Sequence, residues 1–161
     1  MNTIFDNFLQ VSIAINTIKL FLWLSPLVIV LFVLGYLRTI KSEKEYVKFL
    51  REIDGTKFFC YNNRKKNKDF IEKNILQTLP SDIKVIYLEG KTPKSDYDQK
   101  FISVLLYSIK DRKGFPYLLK ISNGQLEDKS ISGDFYKTMN QNKDIGQLHK
   151  NIISFFQPTC K

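Results

Sequence analysis

Few side chains in this sequence are able to do covalent or metal chemistry. Cys60 and Cys160 are its only cysteines. They form no CxxC pair and lack the density of a disulfide-stapled secreted module, which points to a reducing compartment. His149 is the single histidine, so no Cys/His cluster within one chain can close a tetrahedral zinc site. It neighbours the apolar face of a C-terminal helix and has no evident partner, as expected of a satisfied boundary histidine rather than a general base. There is no GxSxG elbow, Walker lysine loop or HExxH. The carboxylates are scattered and single out no acid/base pair. No catalytic residue, metal or cofactor is expected.

Positive charge, by contrast, is abundant. Lys and Arg number 25 against 16 Asp and Glu, a formal net charge of +9. Such a balance favours anionic partners: lipid headgroups, nucleotides, nucleic acid or acidic protein surfaces. Nucleic acid ranks lowest, because the basic segments are not interleaved with the aromatic platform on which single strands stack. The 13 Phe and 8 Tyr fall mainly in apolar-periodic segments and read as core or membrane.

The elements that must carry these residues begin with a hydrophobic run. Leu20 to Leu37, LFLWLSPLVIVLFVLGYL, has no charge; as a helix it covers ~27 Å at ~1.5 Å per residue. That nearly spans a hydrocarbon core of ~30 Å, and Thr17 or Thr39 completes it. The run is too long and too apolar all round to be the core helix of a small domain. The segment before it lacks Lys and Arg until Lys19, and no small-x-small site follows, which disfavours a cleaved signal peptide. Residues 1–40 therefore read as a membrane anchor, in which Phe8, Val11, Ile15 and Ile18 form an apolar face upstream of the span and Pro26 is a tolerated membrane proline. Arg38, Lys41, Lys44, Lys48 and Arg51 crowd the C-terminal flank and only Lys19 the other, so the soluble part is expected on the cytoplasmic, positive side.

Beyond the span, residues 41–54 place Tyr46, Phe49, Leu50 and Ile53 at amphipathic helical spacing, ending before Gly55. KFFCY from Lys57 suits a buried strand. The polar stretch NNRKKNK leads to Asp69 as a helix opener, and that helix stops at Pro80. Ile83 to Leu88 reads as a strand covered on both faces, EGKTPKSD as a loop, and Phe101, Ile102, Leu105, Leu106 and Ile109 as a broad helical stripe. After the breaker-rich KDRKGFP, Tyr117 to Ser122 is a strand, Asn123-Gly124 a hairpin turn and QLEDKSI the returning strand. Ile145, Leu148, Ile152 and Phe155 mark a last helix. The expected order is β-α-β-α-β-β-α in one small α/β domain over residues 55–157, followed by a tail at 158–161.

That order, with GFPYLLKISNG at Gly114 to Gly124, resembles thioredoxin-like proteins over about residues 56 to 156. The resemblance implies that Pro116 is the cis-proline that opens the third strand beside the active site, and that Gly124 is a hairpin glycine. It also exposes a departure. Where the family carries CxxC at the start of the first helix, this chain reads RKKNKDF; Cys60 lies in the preceding strand, and the residue three further on is Asn63. The family's dithiol is missing. Arsenate reductases of the same fold carry a Cys with an Arg four residues on, the spacing of Cys60 and Arg64, yet the strand is too short to bring Cys60 to the helix start. Cys160, in the tail after Pro158, is open to redox chemistry or lipid attachment.

In such a fold the loops after the first two strands and before the third gather on one edge. They hold Arg64, Lys65, Lys66 and Lys68, then Lys91 and Lys94, then Lys110, Arg112 and Lys113. With the first helix's free N–H groups, this basic edge can bind phosphate or an acidic surface. The leading expectation for function is a non-catalytic accessory or assembly subunit of a membrane protein complex that keeps a degenerate thioredoxin-like domain as a docking surface. The alternatives are a membrane-tethered thiol-redox enzyme and a membrane-anchored module that binds anions such as headgroups or nucleotides.

Overall fold

The computed structural model describes residues 2–141 and 144–157, with side chains from Ser25 onward and those of Lys19 and Trp23. It is a mixed α/β protein whose chain divides into two compact units, Met1–Glu45 and Tyr46–Lys161.

The first unit is helical. Helix α1 runs over Asn2–Glu52 and passes through Pro26. Over its Ser25–Glu52 stretch the most apolar 18-residue window has a mean hydropathy of 1.4, and among the described residues this is the one helix long and apolar enough to cross a membrane. None of its most apolar window is buried: Phe32 and Tyr36 point outward along with the aliphatic side chains from Leu27 to Leu34. No break separates this run from the amphipathic segment expected over 41–54. The same helix continues to Glu52, and its residues from Tyr46 on belong to the second unit.

The second unit is built on a five-stranded sheet in the order β3-β2-β1-β4-β5. The strands are β1 (Lys57–Asn62), β2 (Ile83–Glu89), β3 (Thr92–Lys94), β4 (Tyr117–Ser122) and β5 (Gln125–Ser130). β1 and β2 are parallel, while β4 runs antiparallel to β1 and to β5. The β4–β5 turn takes positive φ at both Asn123 (54°) and Gly124 (68°), the conformation that makes Asn-Gly a hairpin signal. Helix α2 (Lys65–Asn74) and a short 3-10 turn (Leu76–Thr78) cross from β1 to β2, and α3 (Gln99–Tyr107) crosses from β3 to β4. Helices α4 (Ser132–Gln141) and α5 (Ile145–Phe156) close the chain.

Central β1 explains the two-sided core. Its side chains alternate between faces and are apolar on both. Phe58 and Cys60 join Phe49, Leu50, Ile102 and Leu105 on one face; Phe59 and Tyr61 join Ile71, Phe135, Leu148 and Ile152 on the other. Buried Phe156, rather than half-buried Phe155, completes the inner face of α5.

The observed order after α1 is β-α-β-β-α-β-β-α-α, which adds two elements to the expected order, and one helix start also moves. EGKTPKSD is not a plain loop: Gly90, at φ 62°, turns the chain so that Pro93 pairs with Leu88 in β3. A three-residue strand containing proline carries no readable alternation. Helix α4 was absent from the expected order because Gly133 interrupts a segment with few apolar residues. Helix α2 begins at Lys65, not Asp69, and its N-cap Arg64 makes no side-chain capping bond. A tertiary contact holds that first turn instead: buried Asn67 donates Nδ2–H to Tyr136 Oη at 2.7 Å.

Candidate ligand pocket at one end of the sheet

Strand register decides which basic segments meet. Asn62 at the end of β1 lies opposite Leu88 near the end of β2, and Tyr117 at the start of β4 lies opposite Cys60. The segments after β1, after β2 and before β4 therefore leave the sheet at the same end. Arg64 caps α2, and Lys65, Lys66 and Lys68 occupy its first turn. Lys91 sits in the β2–β3 turn and Lys94 on β3. Lys110, Arg112 and Lys113 lie in the α3–β4 connection.

These cations do not form one bare patch. Lys68 lies 3.9 Å from Glu72 and 5.1 Å from the centre of the Tyr87 ring, Lys94 pairs with Glu89, and Lys113 lies 3.4 Å from Asp111. The Glu89 carboxyl is held below its usual range by its hydrogen bond and attraction to Lys94. Arg112 turns its Nε–H toward Ile109 O at 3.5 Å and borders an apolar groove lined by Leu106, Tyr107 and Phe115. Lys65, Lys66, Lys91 and Lys110 are exposed.

Arg64 and Lys113, from separate segments, line one pocket of about 220 Å³. Its floor and walls come from Asn62 at the end of β1, Gly114 and Phe115 before β4, and Ser132 and Tyr136 of α4. The Phe115–Pro116 peptide bond beside it is cis.

The wall before β4 is tied down at many points. Asp128 Oδ2 accepts the N–H groups of Lys110 (3.1 Å) and Asp111 (2.8 Å), and Asp111 Oδ2 accepts the Ser130 N–H at 3.0 Å. Ser130 Oγ donates to Gly114 O at 2.6 Å, and Ser132 Oγ donates to Lys113 O at 3.1 Å. Gly114 takes φ 110°, a conformation that side chains rarely adopt, and donates its N–H to Tyr117 Oη at 3.0 Å. The Ser130 N–H above all, then Lys113, holds the Asp111 carboxyl below the ordinary aspartate range. On the opposite wall, Tyr136 Oη accepts from Asn67 Nδ2 at 2.7 Å and from Arg64 Nη1 at 3.5 Å.

Comparison with protein-family models, with characterised proteins and with solved structures found no match.

Function must therefore be argued from the site itself, and the thiols contribute little to it. Cys60 has no exposed surface and sits in the core with Phe58 and Leu105, where burial pushes its thiol far up. The Cys60–Arg64 spacing leaves the sulfur inside the sheet while Arg64 lines the pocket. Cys160 lies outside the described residues. His149 Nε2 is 2.9 Å from Thr78 Oγ1, whose own proton goes to Ile75 O, so the imidazole is the donor of this pair. Among the described residues no three His, Cys, Asp or Glu side chains are placed to hold a metal ion.

Sequence reasoning missed Tyr136, Asn67, Asp111, Asp128, Ser130 and Ser132. The last four are short polar side chains in the α3–β4 connection, on β5 and at the start of α4, and only the tertiary fold gives them partners. Tyr136 needed α4 to be foreseen.

Proposed function

We propose that this chain is a single-pass membrane protein whose second unit is a thioredoxin-like domain without redox chemistry, serving as a docking module in a membrane protein complex. The observation that carries this reading is the makeup of the sheet end beside cis-Pro116. The helix start there offers Arg64, Lys65 and Lys66 in place of a dithiol, and Cys60 is buried two residues inside β1. The β2-β1-β4-β5 order, with β4 antiparallel to parallel β1 and β2, supports the thioredoxin-like assignment.

The anchor rests on a helix whose apolar window has no buried residue, which a soluble core helix would have. Arg38, Lys41 and Lys44 after the span favour the cytoplasmic side for the domain. A scaffold held at the bilayer, folded around two apolar clusters and with no catalytic set among the described residues, fits an accessory or assembly subunit whose partners are other membrane-complex subunits.

The test is extraction of the full chain from its native membrane in mild detergent, followed by native mass spectrometry. Partner subunits at fixed stoichiometry are expected. Free monomer alone would remove the docking role.

A further inference from the structure

We propose that the pocket formed by Arg64, Lys113 and Tyr136 binds a phosphate group. The proposal goes beyond the docking role and holds whether or not the chain enters a complex.

It rests on a count of hydrogen-bond donors and acceptors. Tyr136 Oη already accepts from Asn67 and Arg64, so its own O–H must donate elsewhere, and it has no acceptor among the described residues. The Arg64 guanidinium carries five N–H donors. Its one bond is the 3.5 Å contact to Tyr136, and no carboxylate lies within ion-pair reach of it among the described residues. Lys113 is held only loosely: its side chain is 79% exposed, and one oxygen of its partner Asp111 is bound to Ser130. No Asp or Glu lines the cavity. A pocket with this surplus of donors, in a chain of net charge +9, selects an anion.

The geometry narrows the anion. The three donors come from three different segments: the cap of α2, the connection before β4, and α4. A carboxylate offers two oxygens in one plane, whereas a phosphate offers at least three in a tetrahedron and can meet all three segments. The ten-residue α2 starts beside the pocket at Arg64, and no side chain caps its first N–H groups. The ties through Asp128, Ser130 and Ser132 hold the Lys113–Gly114 wall in place before the ligand arrives, which lowers the ordering cost of binding.

A lipid headgroup and a soluble phosphomonoester share this chemistry, and the experiment separates them. Full-length ¹⁵N-labelled chain in phosphatidylcholine nanodiscs is titrated with inorganic phosphate and with glycerol 3-phosphate; in a second arm the nanodiscs contain phosphatidic acid. Saturable shifts of the Lys65, Lys66 and Gly114 amides are expected. Shifts in both arms assign soluble phosphate, and shifts only with phosphatidic acid assign the headgroup. Arg64→Gln and Tyr136→Phe should each weaken binding about tenfold, ~1.4 kcal/mol, while Lys84→Gln, at an exposed position on β2, leaves it unchanged. Tyr136→Phe also takes the acceptor from buried Asn67, so Asn67→Ala, which breaks the same bond but keeps the Tyr136 hydroxyl, is its control. Binding kept in Asn67→Ala and lost in Tyr136→Phe marks a ligand contact, and equal loss in both marks a structural one and counts against the pocket. Absence of saturable shifts in both arms at millimolar phosphate, or equal binding by Arg64→Gln, Tyr136→Phe and Lys84→Gln, overturns the proposal.

Discussion

The two ends of the sheet differ in how fully their positive charge is paired. At the end where β1 begins, cations serve the fold. Lys57 donates to Asp82 at 2.7 Å, its strand neighbour Lys120 lies 3.5 Å from Glu127, and Asp54 accepts the N–H of Gly124 in the hairpin turn. At the end where β1 finishes, Lys68, Lys94 and Lys113 have carboxylate neighbours, but two of the acids also bind backbone. Asp128 and Asp111 hold N–H groups of their own and neighbouring segments, and Arg64, Lys65 and Lys66 have no carboxylate partner among the described residues. A basic composition therefore says little about where charge is available. Placement of the acids decides it.

Four perturbations test this contrast, in order of expected effect. Phe59→Ala removes a fully buried ring from the strand that joins the two ends, so both should fail together, at a cost of ~3–5 kcal/mol in thermal unfolding of the detergent-solubilised chain. Loss confined to one end would mean that the ends fold separately. Asp128→Ala deprives two backbone N–H groups of their acceptor. It should cost on the order of 1 kcal/mol, raise hydrogen exchange in residues 110–116, and leave the Lys57 end protected.

Acid offers a subtler test. The Asp111 carboxyl is held below its ordinary range, so its stabilising contribution is complete above the unfolded aspartate value and is lost as pH falls through the lower folded value. Acidification should therefore loosen the Gly114 wall, and Asp111→Asn should abolish that part of the pH dependence in amide exchange. Asp82 is lowered in the same direction, first by its hydrogen bond to Lys57, so the Lys57 end serves as an internal comparison. Lys57→Gln is expected to matter least, below ~1 kcal/mol in thermal unfolding, because the Asp82 side chain is 56% exposed and such pairs are screened.

How much could be read from residues alone follows the same division. KFFCY, IKVIYL and the Asn-Gly hairpin announced β1, β2, β4 and β5, because apolar runs and a turn of positive φ are local signals. Asp98 and Asp144 accept N–H bonds from Lys100 and Gly146 and mark the starts of α3 and α5. The pocket was only half legible. Arg64 and Lys113 stood out by charge, but nothing local joins them to Tyr136, 72 residues beyond Arg64. Helix α2 begins four residues earlier than Asp69 suggests, because a long-range bond from Asn67 stands in for the missing cap. Charge counting also could not show that Lys68, Lys94 and Lys113 each have a carboxylate neighbour.

The short strand β3 has a consequence for crowding. Open sheet margins invite neighbouring copies to add strand upon strand, and confinement to a surface makes encounters frequent. Here one margin is three residues long with Pro93 at its centre, and the other, β5, shows Glu127 and Lys129 to solvent. Neither is a good template for polymerisation. Copies packed closely side by side should remain soluble in one another's company, and any lasting association must be made through side chains rather than through a shared sheet.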